Sequence, residues 1–321
     1  MWSRLLCNPM RQARNSVGYL GPEGSFTHQA LIGYGFDPET VLKAFRSVPD
    51  VLDGISDGAV GFGFVPIENS IEGAVNITLD GLIFEHNLYI QNEVVIDIRH
   101  YVLAKSRIQV GEVTKLYSMP VATAQCHKFL RTEMPNVSII DTDSTSAAAL
   151  YVANSTDETI AALAPRLASE IYSLEVLTDD ISDFQMNQTR FVLIGRDSIP
   201  QQTGNDVTCF VVFQRNDEPG SLISILQEFA SRKINLTGLV SRPNKRGGLG
   251  SYCFIMYADG HIEDELVADA LRELHVKQGS VKFLGSYPAA GAHAHSAREH
   301  ADARWREADD WVGDLRSRIS R

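Results

Sequence analysis

The order of apolar and amphipathic segments is the feature that most constrains the fold of this chain. Between residues 17 and 196, short β-rich runs alternate with amphipathic stretches. The alternation stops once, at an apolar-rich run over residues 88–105 that contains no helix signal. Strand–helix alternation predicts α/β layers around a mostly parallel sheet. We therefore predict two similar α/β lobes, joined by crossing strands at 88–105, with a ligand cleft between them.

A different order of elements follows a polar linker at residues 197–205, which contains proline and glycine. Over residues 206–288 the pattern is strand, helix, strand, strand, helix, strand. This βαββαβ order is that of a ferredoxin-like sandwich. Apolar residues recur at the helical period in its first helix and predict the buried face: Leu222, Ile225, Leu226 and Phe229. A chain of 321 residues also exceeds what one hydrophobic core usually organises.

Together these patterns predict an N-terminal extension, a two-lobed domain, a linker, a second domain and a tail. The boundaries are 1–15, 16–196, 197–205, 206–288 and 289–321, with lobe 1 at about 16–95 and 185–196 and lobe 2 at about 96–184. The tail mixes arginine, acidic residues and alanine, which favours a solvated helix. Its histidines, His293, His295 and His300, give no preorganised ligand geometry, so no metal site is assigned to them.

Charge and cysteine usage exclude several classes of partner. The chain has 29 lysines and arginines against 40 aspartates and glutamates, so nucleic acid and anionic membranes are disfavoured as partners. No stretch has the length of a signal-peptide core or of a membrane span. Unpaired spacing indicates reduced thiols rather than disulfides or zinc ligands at Cys7, Cys126, Cys209 and Cys253. We expect a cytoplasmic protein that acts on a small molecule.

Two segments place hydroxyl groups at predicted helix starts. Ser25 follows a glycine-bearing turn after the first strand, and Ser144, Thr145 and Ser146 precede an alanine-rich helix. Helix amino termini bind carboxylates and phosphates, although a plain N-cap has the same sequence. Residues 16–205 contain 11 basic against 24 acidic residues, so attraction of an anionic ligand has to be local.

Two further segments carry candidate reactive groups. Glu68 is a candidate acid or base, and Asn69 and Ser70 beside it are hydrogen-bond donors, where the strand FVPIENS is expected to break at its proline. A capped helix with a solvated glutamate is the alternative. Thr189 and Arg190 precede the returning strand FVLIG, and an arginine can bind a carboxylate through two parallel hydrogen bonds.

The order of these segments resembles that of the prephenate dehydratase family. The matching motifs are YLGPEGSFTHQA, VPIENSIEGAVNITLDGL, STSAAA, AALAPRLASEIYSLEVL and NQTRF. The downstream βαββαβ unit resembles an ACT regulatory domain, with loops at PGSLI and VSRP. The resemblance covers nearly the whole chain apart from the extension and the tail. It implies a catalytic domain of the two-lobed, periplasmic-binding-protein type II kind.

The resemblance implies conversion of prephenate to phenylpyruvate, with loss of carbon dioxide and water, in phenylalanine biosynthesis. Prephenate carries two carboxylates and a ring hydroxyl, so the enzyme must hold a dianion and assist departure of hydroxide. Thr189 is the implied catalytic residue, as a positioned hydrogen-bond donor, with Glu68 or a water as the proton source. The predicted substrate-binding residues are Ser25, Asn69, Ser70, Ser144, Thr145, Ser146 and Arg190.

The resemblance also implies that phenylalanine binds between paired ACT domains of two chains, which predicts a homodimer or homotetramer. The implied effector-binding residues are Gly220, Ser221, Leu222, Ile223, Ser241, Arg242 and Pro243. Three sites depart from the family pattern. The first effector loop reads GSLI at residues 220–223, where the family usually has GALV. Val240 replaces the glutamate of the usual ESRP loop, and Met119 stands where the family's SHPQ segment has histidine. Loss of the carboxylate removes a charge from the effector loop, and any proton handled by the histidine has to be managed without it.

Two other functions remain open. One is an arogenate dehydratase, whose substrate has an amino group in place of the side-chain keto group. The other is a catalytically silent amino-acid sensor, although the intact TRF segment favours chemistry. A chorismate mutase fusion is not expected, since the first motif starts by residue 19 and the tail is short for an added domain. No cofactor or metal is indicated, because elimination with aromatisation needs neither redox nor carbanion chemistry.

Overall fold

A computed structural model describes residues 15–214, 218–245, 250–278, 280–290 and 310–318. The three tail histidines lie outside these residues. Within the tail, residues 310–317 are helical, with Trp311 and Leu315 exposed. In the described part of the chain, no helix combines the length and apolar character that crossing a membrane requires.

Strands and helices follow the alternation that the sequence predicts. The strands are β1 (Ser16–Leu20), β2 (Val41–Phe45), β3 (Phe62–Asn69), β4 (Gly73–Ala74), β5 (Tyr89–Asp97), β6 (Tyr101–Ala104), β7 (Lys115–Ser118), β8 (Ser138–Asp141), β9 (Ile160–Ala164), β10 (Glu175–Val176), β11 (Gln188–Gly195), β12 (Asp206–Phe213), β13 (Leu236–Pro243), β14 (Tyr252–Asp259) and β15 (Val281–Pro288). The helices are α1 (Phe26–Tyr34), α2 (Val48–Ser56), α3 (Asn76–Asp80), α4 (Pro120–Ala124), α5 (His127–Glu133), α6 (Thr145–Asn154), α7 (Arg166–Tyr172), α8 (Ser221–Ser231) and α9 (Glu265–Gln278). A π-helical turn at Gly81–Glu85 follows α3 directly.

The described residues divide into two compact units. The first contains the chain up to Leu79 together with Val94–Val192, and the second contains Asp80–Glu93 together with the described residues from Leu193 onward. The division therefore falls inside β5 and β11. The two-lobed α/β architecture and the ferredoxin-like domain expected from the sequence are both confirmed.

Lobe 1 is built on a sheet with strand order β2–β1–β3–β11–β5, and β4 pairs with the end of β3. β1, β2 and β3 are parallel, as the alternation predicts. The expected break at Pro66 is wrong, because β3 continues through it to Asn69. Pairing of β3 with β1 ends at Phe64, so the N–H that proline lacks is not needed on that side. The Pro66 carbonyl instead accepts a 2.7 Å hydrogen bond from the Thr78 hydroxyl.

Lobe 2 is a second sheet, with strand order β10–β6–β9–β7–β8. β7 pairs in parallel with β8 and β9, whereas β6 is antiparallel to β9 and β10. Every residue of β9 is buried. Ala148 and Ala149 of α6 are fully buried in the same core as β9, since their small side chains let the helix lie close to the sheet.

The second unit contains an antiparallel sheet with strand order β13–β14–β12–β15, the order of a ferredoxin-like sandwich. The buried face predicted for α8 is confirmed, with Ile225 and Phe229 in the core. Residues 80–93, which the sequence assigned to lobe 1, group with this unit. Lys282 of β15 donates to the carbonyls of Ile83 and His86 at 3.0 and 2.7 Å. A Cβ on Gly285 would lie 2.4 Å from the carbonyl oxygen of Ile90, so only glycine permits this approach.

Candidate functional site

Asn69 and Thr189 meet where β3 and β11 lie side by side. The Asn69 side chain is oriented without ambiguity, because its Oδ1 accepts hydrogen bonds from the backbone N–H groups of Ile71 and Glu72, both at 2.9 Å. Its Nδ2 therefore donates to the Thr189 Oγ1, at 2.9 Å. Thr189 is buried, with 8% of its surface exposed. Within the described residues its own hydroxyl proton has no acceptor, so that proton is available to a ligand.

Glu68 and Arg190, the neighbours of these two residues, form an ion pair of 3.1 Å between Oε2 and an Nη of the guanidinium. Both side chains are partly exposed. Consecutive side chains in a strand point to opposite faces, so the ion pair and the Asn69–Thr189 pair lie on different faces of the sheet. An ionised carboxylate accepts hydrogen bonds and has no proton to give. Glu68 can act as a proton source, and Arg190 as a carboxylate ligand, only when the pair opens.

Ser70 is committed to holding the strand ends together. Its hydroxyl donates to the Met186 carbonyl at 3.1 Å and accepts from the Gln188 N–H at 2.9 Å. β11 begins at Gln188, so Thr189 and Arg190 lie inside the strand. The sequence had predicted that they precede it. The sheet fixes the backbone of the residue predicted to be catalytic.

A chain of polar side chains that the sequence analysis left without a role leads away from Asn69. The Asn69 Nδ2 also donates to the Asn187 Oδ1, at 2.8 Å. The Asn187 Nδ2 donates to the Gln125 Oε1, at 2.9 Å, and the Gln125 Nε2 donates to Glu72 at 3.1 Å. Both amide residues are buried, with 1% of Asn187 and 6% of Gln125 exposed. Asn187 belongs to the NQTRF motif, but Gln125 lies 62 residues away, and spacing does not reveal their contact.

The glycine-bearing turn before α1 packs against lobe 2. Gly24 has a φ of +77°, and a Cβ there would lie 3.2 Å from both Ala168 and Tyr172. The Tyr172 hydroxyl donates to the Glu23 carbonyl at 2.8 Å. The Ser25 hydroxyl caps α1 by accepting from the N–H of the third residue of the helix at 3.2 Å. The turn thus joins the two lobes, and Ser25 has the contacts of a helix cap.

The three hydroxyls at the start of α6 have different surroundings. Ser144 is the N-cap and accepts from the Ala147 N–H at 3.0 Å. Thr145 is buried, and Ser146 is completely buried with no hydrogen-bond partner for its hydroxyl in the described residues. No hydrogen bond among the described residues joins these hydroxyls to Asn69 or Thr189. The structure brings together Glu68, Asn69, Ser70, Thr189 and Arg190, but not the hydroxyls of the two helix starts.

The family-pattern departure at Met119 lies in lobe 2, at the start of α4. Met119 is 39% exposed, and its carbonyl accepts the first N–H bonds of the helix. The preceding residue, Ser118, is fully buried and donates to the Leu163 carbonyl at 2.9 Å. The methionine side chain therefore offers no polar group where the family has an imidazole.

In the second unit, a cavity of about 430 Å³ brings together five of the predicted effector residues. They are Gly220, Ser221, Leu222, Ile223 and Ser241. Tyr252 and Phe254 of β14 add an aromatic wall, and Gln214 and Glu218 add polar groups. These four lining residues were not predicted, because the PGSLI and VSRP motifs do not indicate which strand faces the two loops.

Arg242 and Pro243 do not line this cavity. The Arg242 guanidinium instead makes three hydrogen bonds of 2.8–3.2 Å to the carboxylate of Asp80. Lys245 binds the same carboxylate at 3.1 Å. Adjacent strand residues face opposite sides, which accounts for Ser241 at the cavity and Arg242 on Asp80.

Comparison with known proteins gives a consistent result. A family model described as prephenate dehydratase matches residues 17–199, and one described as ACT domain matches residues 210–276. The chain is 37% identical over 280 residues to a prephenate dehydratase of Bacillus subtilis, covering 84% of this chain and 98% of that protein. It is 38% identical over 274 residues to a bifunctional chorismate mutase/prephenate dehydratase of Stutzerimonas stutzeri, covering 85% and 73%. The crystal structure of an Arthrobacter aurescens prephenate dehydratase in complex with L-Phe matches with a TM-score of 0.85 at 33% identity, covering 94% of this chain and 99% of that one.

Proposed function

The chain belongs to the prephenate dehydratase family, and from that membership we propose that it converts prephenate to phenylpyruvate in phenylalanine biosynthesis, under control of phenylalanine. The observation that carries the proposal is the hydrogen bond from Asn69 to Thr189. It supplies a buried hydroxyl whose oxygen is already bound and whose proton is available, which is what a departing hydroxide requires.

The reaction needs hydrogen-bond donation more than it needs a nucleophile. As the bond from the ring to its carboxylate breaks, the electron pair enters the ring and expels the hydroxide opposite, leaving an aromatic product, carbon dioxide and water. Negative charge develops on the departing oxygen, so a hydrogen bond from Thr189 strengthens in the transition state. A threonine hydroxyl does not give up its proton at neutral pH, so the proton of the product water comes from water or from another acid.

Binding of the dianionic substrate has to overcome an acidic domain. The start of α6 supports this role, because Ser144–Ser146 place three hydroxyls at the amino terminus of a helix, and the buried Ser146 hydroxyl has no hydrogen-bond partner among the described residues. Arg190 lies on the opposite face of the sheet from Thr189, so it is the weaker candidate, and it can bind a substrate carboxylate only if that carboxylate replaces Glu68 as its partner. We assign Ser25 only a structural part in this site, as the cap of α1.

The cavity of the second unit supports an amino-acid effector. Leu222, Ile223, Tyr252 and Phe254 form an apolar wall for an aromatic side chain, and Glu218 can pair with an ammonium group. The Arthrobacter aurescens relative was crystallised with L-Phe, which supports phenylalanine as the ligand. Val240 does not line the cavity, so we expect inhibition by phenylalanine to survive the loss of the family's glutamate.

We further propose that paired ACT domains make the protein a homodimer or homotetramer and that it works in the cytoplasm, where its substrate is made and used. An arogenate dehydratase would use the same hydroxyl and the same carboxylate-binding groups, so it is tested as a second activity. A silent sensor fits less well, because ligand binding alone does not require a buried hydroxyl held by an oriented amide.

The decisive experiment measures phenylpyruvate formed from prephenate by the purified full-length protein, with and without phenylalanine. Arogenate and chorismate are supplied separately as alternative substrates. Turnover of prephenate that phenylalanine suppresses is the expected result. Turnover without suppression would contradict the effector assignment alone. Absence of turnover with every substrate, while phenylalanine still binds, would replace the enzyme with a sensor.

A further inference from the structure

We propose that Asn187 is a positioning residue that holds the Thr189 hydroxyl in its donating orientation. The proposal rests on the proposed function of Thr189 and extends it to a side chain that need not touch the substrate. Asn187 lies in the middle of a polar chain formed by Glu72, Gln125, Asn187 and Asn69, which ends at Thr189. We call this series the amide chain.

The direction of every hydrogen bond in the amide chain is fixed by its two ends. At one end the Glu72 carboxylate only accepts, so the Gln125 group that contacts it is the NH₂ group. The Gln125 oxygen then faces Asn187 and accepts from its NH₂ group. At the other end, the Asn69 oxygen is held by two backbone N–H donors, so the Asn69 NH₂ group faces Asn187 and Thr189. All three amides therefore donate in the direction of Glu72, and Asn69 makes a second donation to Thr189.

Asn187 decides how the two hydrogens of the Asn69 amide are shared. Three acceptors surround the Asn69 Nδ2: the Asn187 Oδ1 at 2.8 Å, the Thr189 Oγ1 at 2.9 Å and the Gln188 carbonyl at 3.1 Å. With one hydrogen on Asn187, the amide plane is set so that the other reaches Thr189. Thr189 then serves as an acceptor toward Asn69, and its own proton points elsewhere, toward the leaving hydroxyl.

The amide chain also connects the two lobes. Gln125 follows α4 in lobe 2, where its backbone carbonyl accepts from the Asp183 N–H at 2.8 Å. Asn69 and Thr189 belong to the sheet of lobe 1. The orientation of the catalytic hydroxyl is thereby tied to the position of lobe 2 through a buried residue, since 1% of Asn187 is exposed.

The test is Asn187→Asp, which keeps the shape but makes the middle bond depend on pH. Protonated, the new carboxyl donates to Gln125 and accepts from Asn69, as the amide does. Ionised, it can no longer donate, and two acceptors face each other. Burial favours the neutral form and moves its titration toward neutral pH. We expect kcat for prephenate to match the wild type at low pH and to fall about 10-fold as pH rises, with KM unchanged.

Asn154→Asp is the matched control, because it introduces the same carboxyl at an exposed position of α6 in the same unit. In this control, kcat should depend on pH as it does in the wild type. If Asn187→Asp does not fold, Gln125→Glu makes the equivalent change one step along the amide chain. In that variant too, kcat should fall as the pH rises. A wild-type pH profile in a folded variant, or a change in KM alone, would overturn the proposal.

Nuclear magnetic resonance separates this inference from the proposed function. The side-chain NH₂ signals of Asn69 should titrate in Asn187→Asp with the midpoint of the new carboxyl and stay constant in Asn154→Asp. If the Asn69 signals titrate in Asn187→Asp but the wild-type protein does not turn over prephenate, the proposed function is rejected and the hydrogen-bond chain is kept. Constant Asn69 signals in Asn187→Asp would reject the chain itself, whatever the activity.

Discussion

The guanidinium of Arg242 holds the carboxylate of Asp80 through three hydrogen bonds of 2.8–3.2 Å, with more than four fifths of each side chain buried. Arg242 follows Ser241, which lines the cavity that we propose for the effector. Asp80 ends α3, the helix whose Thr78 donates to the Pro66 carbonyl of β3. Asp80 and Arg242 belong to the same compact unit, so their ion pair holds the residue next to Ser241 in place within that unit.

Asp80→Asn should weaken both stability and inhibition by phenylalanine. The change leaves Arg242 without a counter-charge in a mostly buried position, and we expect the free energy of unfolding to fall by about 2 kcal/mol. Turnover of prephenate without phenylalanine should change little, since Asp80 is outside the candidate active site. Urea unfolding and inhibition curves measure the two effects. Glu85→Gln is the control, because Glu85 is 54% exposed and lies 3.8 Å from Lys245, and a similar loss in both variants would contradict the role of the ion pair.

Thr189→Ala should lower kcat for prephenate about 100-fold or more and leave KM nearly unchanged. The hydroxyl is expected to bind the departing oxygen most strongly in the transition state, and removal of one such donor has effects of that size. Thr189→Ser keeps a hydroxyl within reach of Asn69 and should retain most of the activity. Steady-state kinetics on the two variants decide the matter, and equal kcat in wild type and Thr189→Ala would remove this residue from the mechanism.

Glu68→Gln separates the two functions considered for the Glu68–Arg190 pair. The glutamine removes the negative charge that Glu68 holds against Arg190, so a substrate carboxylate no longer has to displace that carboxylate to bind the guanidinium. If Arg190 binds substrate, KM should decrease severalfold while kcat stays within about 3-fold of the wild type. A fall of kcat by 100-fold instead would identify Glu68 as the proton source. The same assay on Arg190→Lys should show a raised KM, because lysine has no planar two-point contact.

The sequence predicted those parts of the fold and the site that depend on local pattern. Helical periodicity identified the buried face of α8, and four residues of the PGSLI loop line a cavity, while their predicted part in effector binding stays a prediction. The start of β11 was missed, because Gln188, Thr189 and Arg190 look like a polar loop until Asn69 and Ser70 of the neighbouring chain segment pair with them. Partners more than 100 residues apart in sequence carry no local signal.

The same reason explains the residues whose partner was not expected. Asn187 and Gln125 are ordinary amides in sequence and acquire meaning only through their mutual contact in the fold. Arg242 was assigned to the effector by its place in the VSRP loop, yet strand alternation turns it toward Asp80. A motif fixes which residues are near one another along the chain, while the face on which each lies depends on register.

His100 should make the protein less stable in mild acid. Its side chain is 2% exposed, and burial lowers the pKa of the imidazole from 6.5 to about 4, against a smaller opposing effect of Asp180. Between these two values the unfolded chain binds a proton that the folded protein does not. The contribution of His100 to the free energy of unfolding therefore decreases as pH falls from 7 toward 4. The decrease is about 2 kcal/mol at pH 4.5, and below pH 4 this contribution no longer changes with pH.

His100→Gln removes the titrating group and should abolish that part of the pH dependence. Urea unfolding at pH 7 and pH 4.5 gives the difference in stability for the wild type and for the variant. His275→Gln, at an exposed position of α9, is the control and should keep the wild-type difference. The imidazole Nδ1 lies 3.2 Å from the Ser182 hydroxyl, so the variant is expected to lose some stability at both pH values. Only the difference between them tests the titration, and an unchanged difference in His100→Gln would show that other groups cause the acid sensitivity.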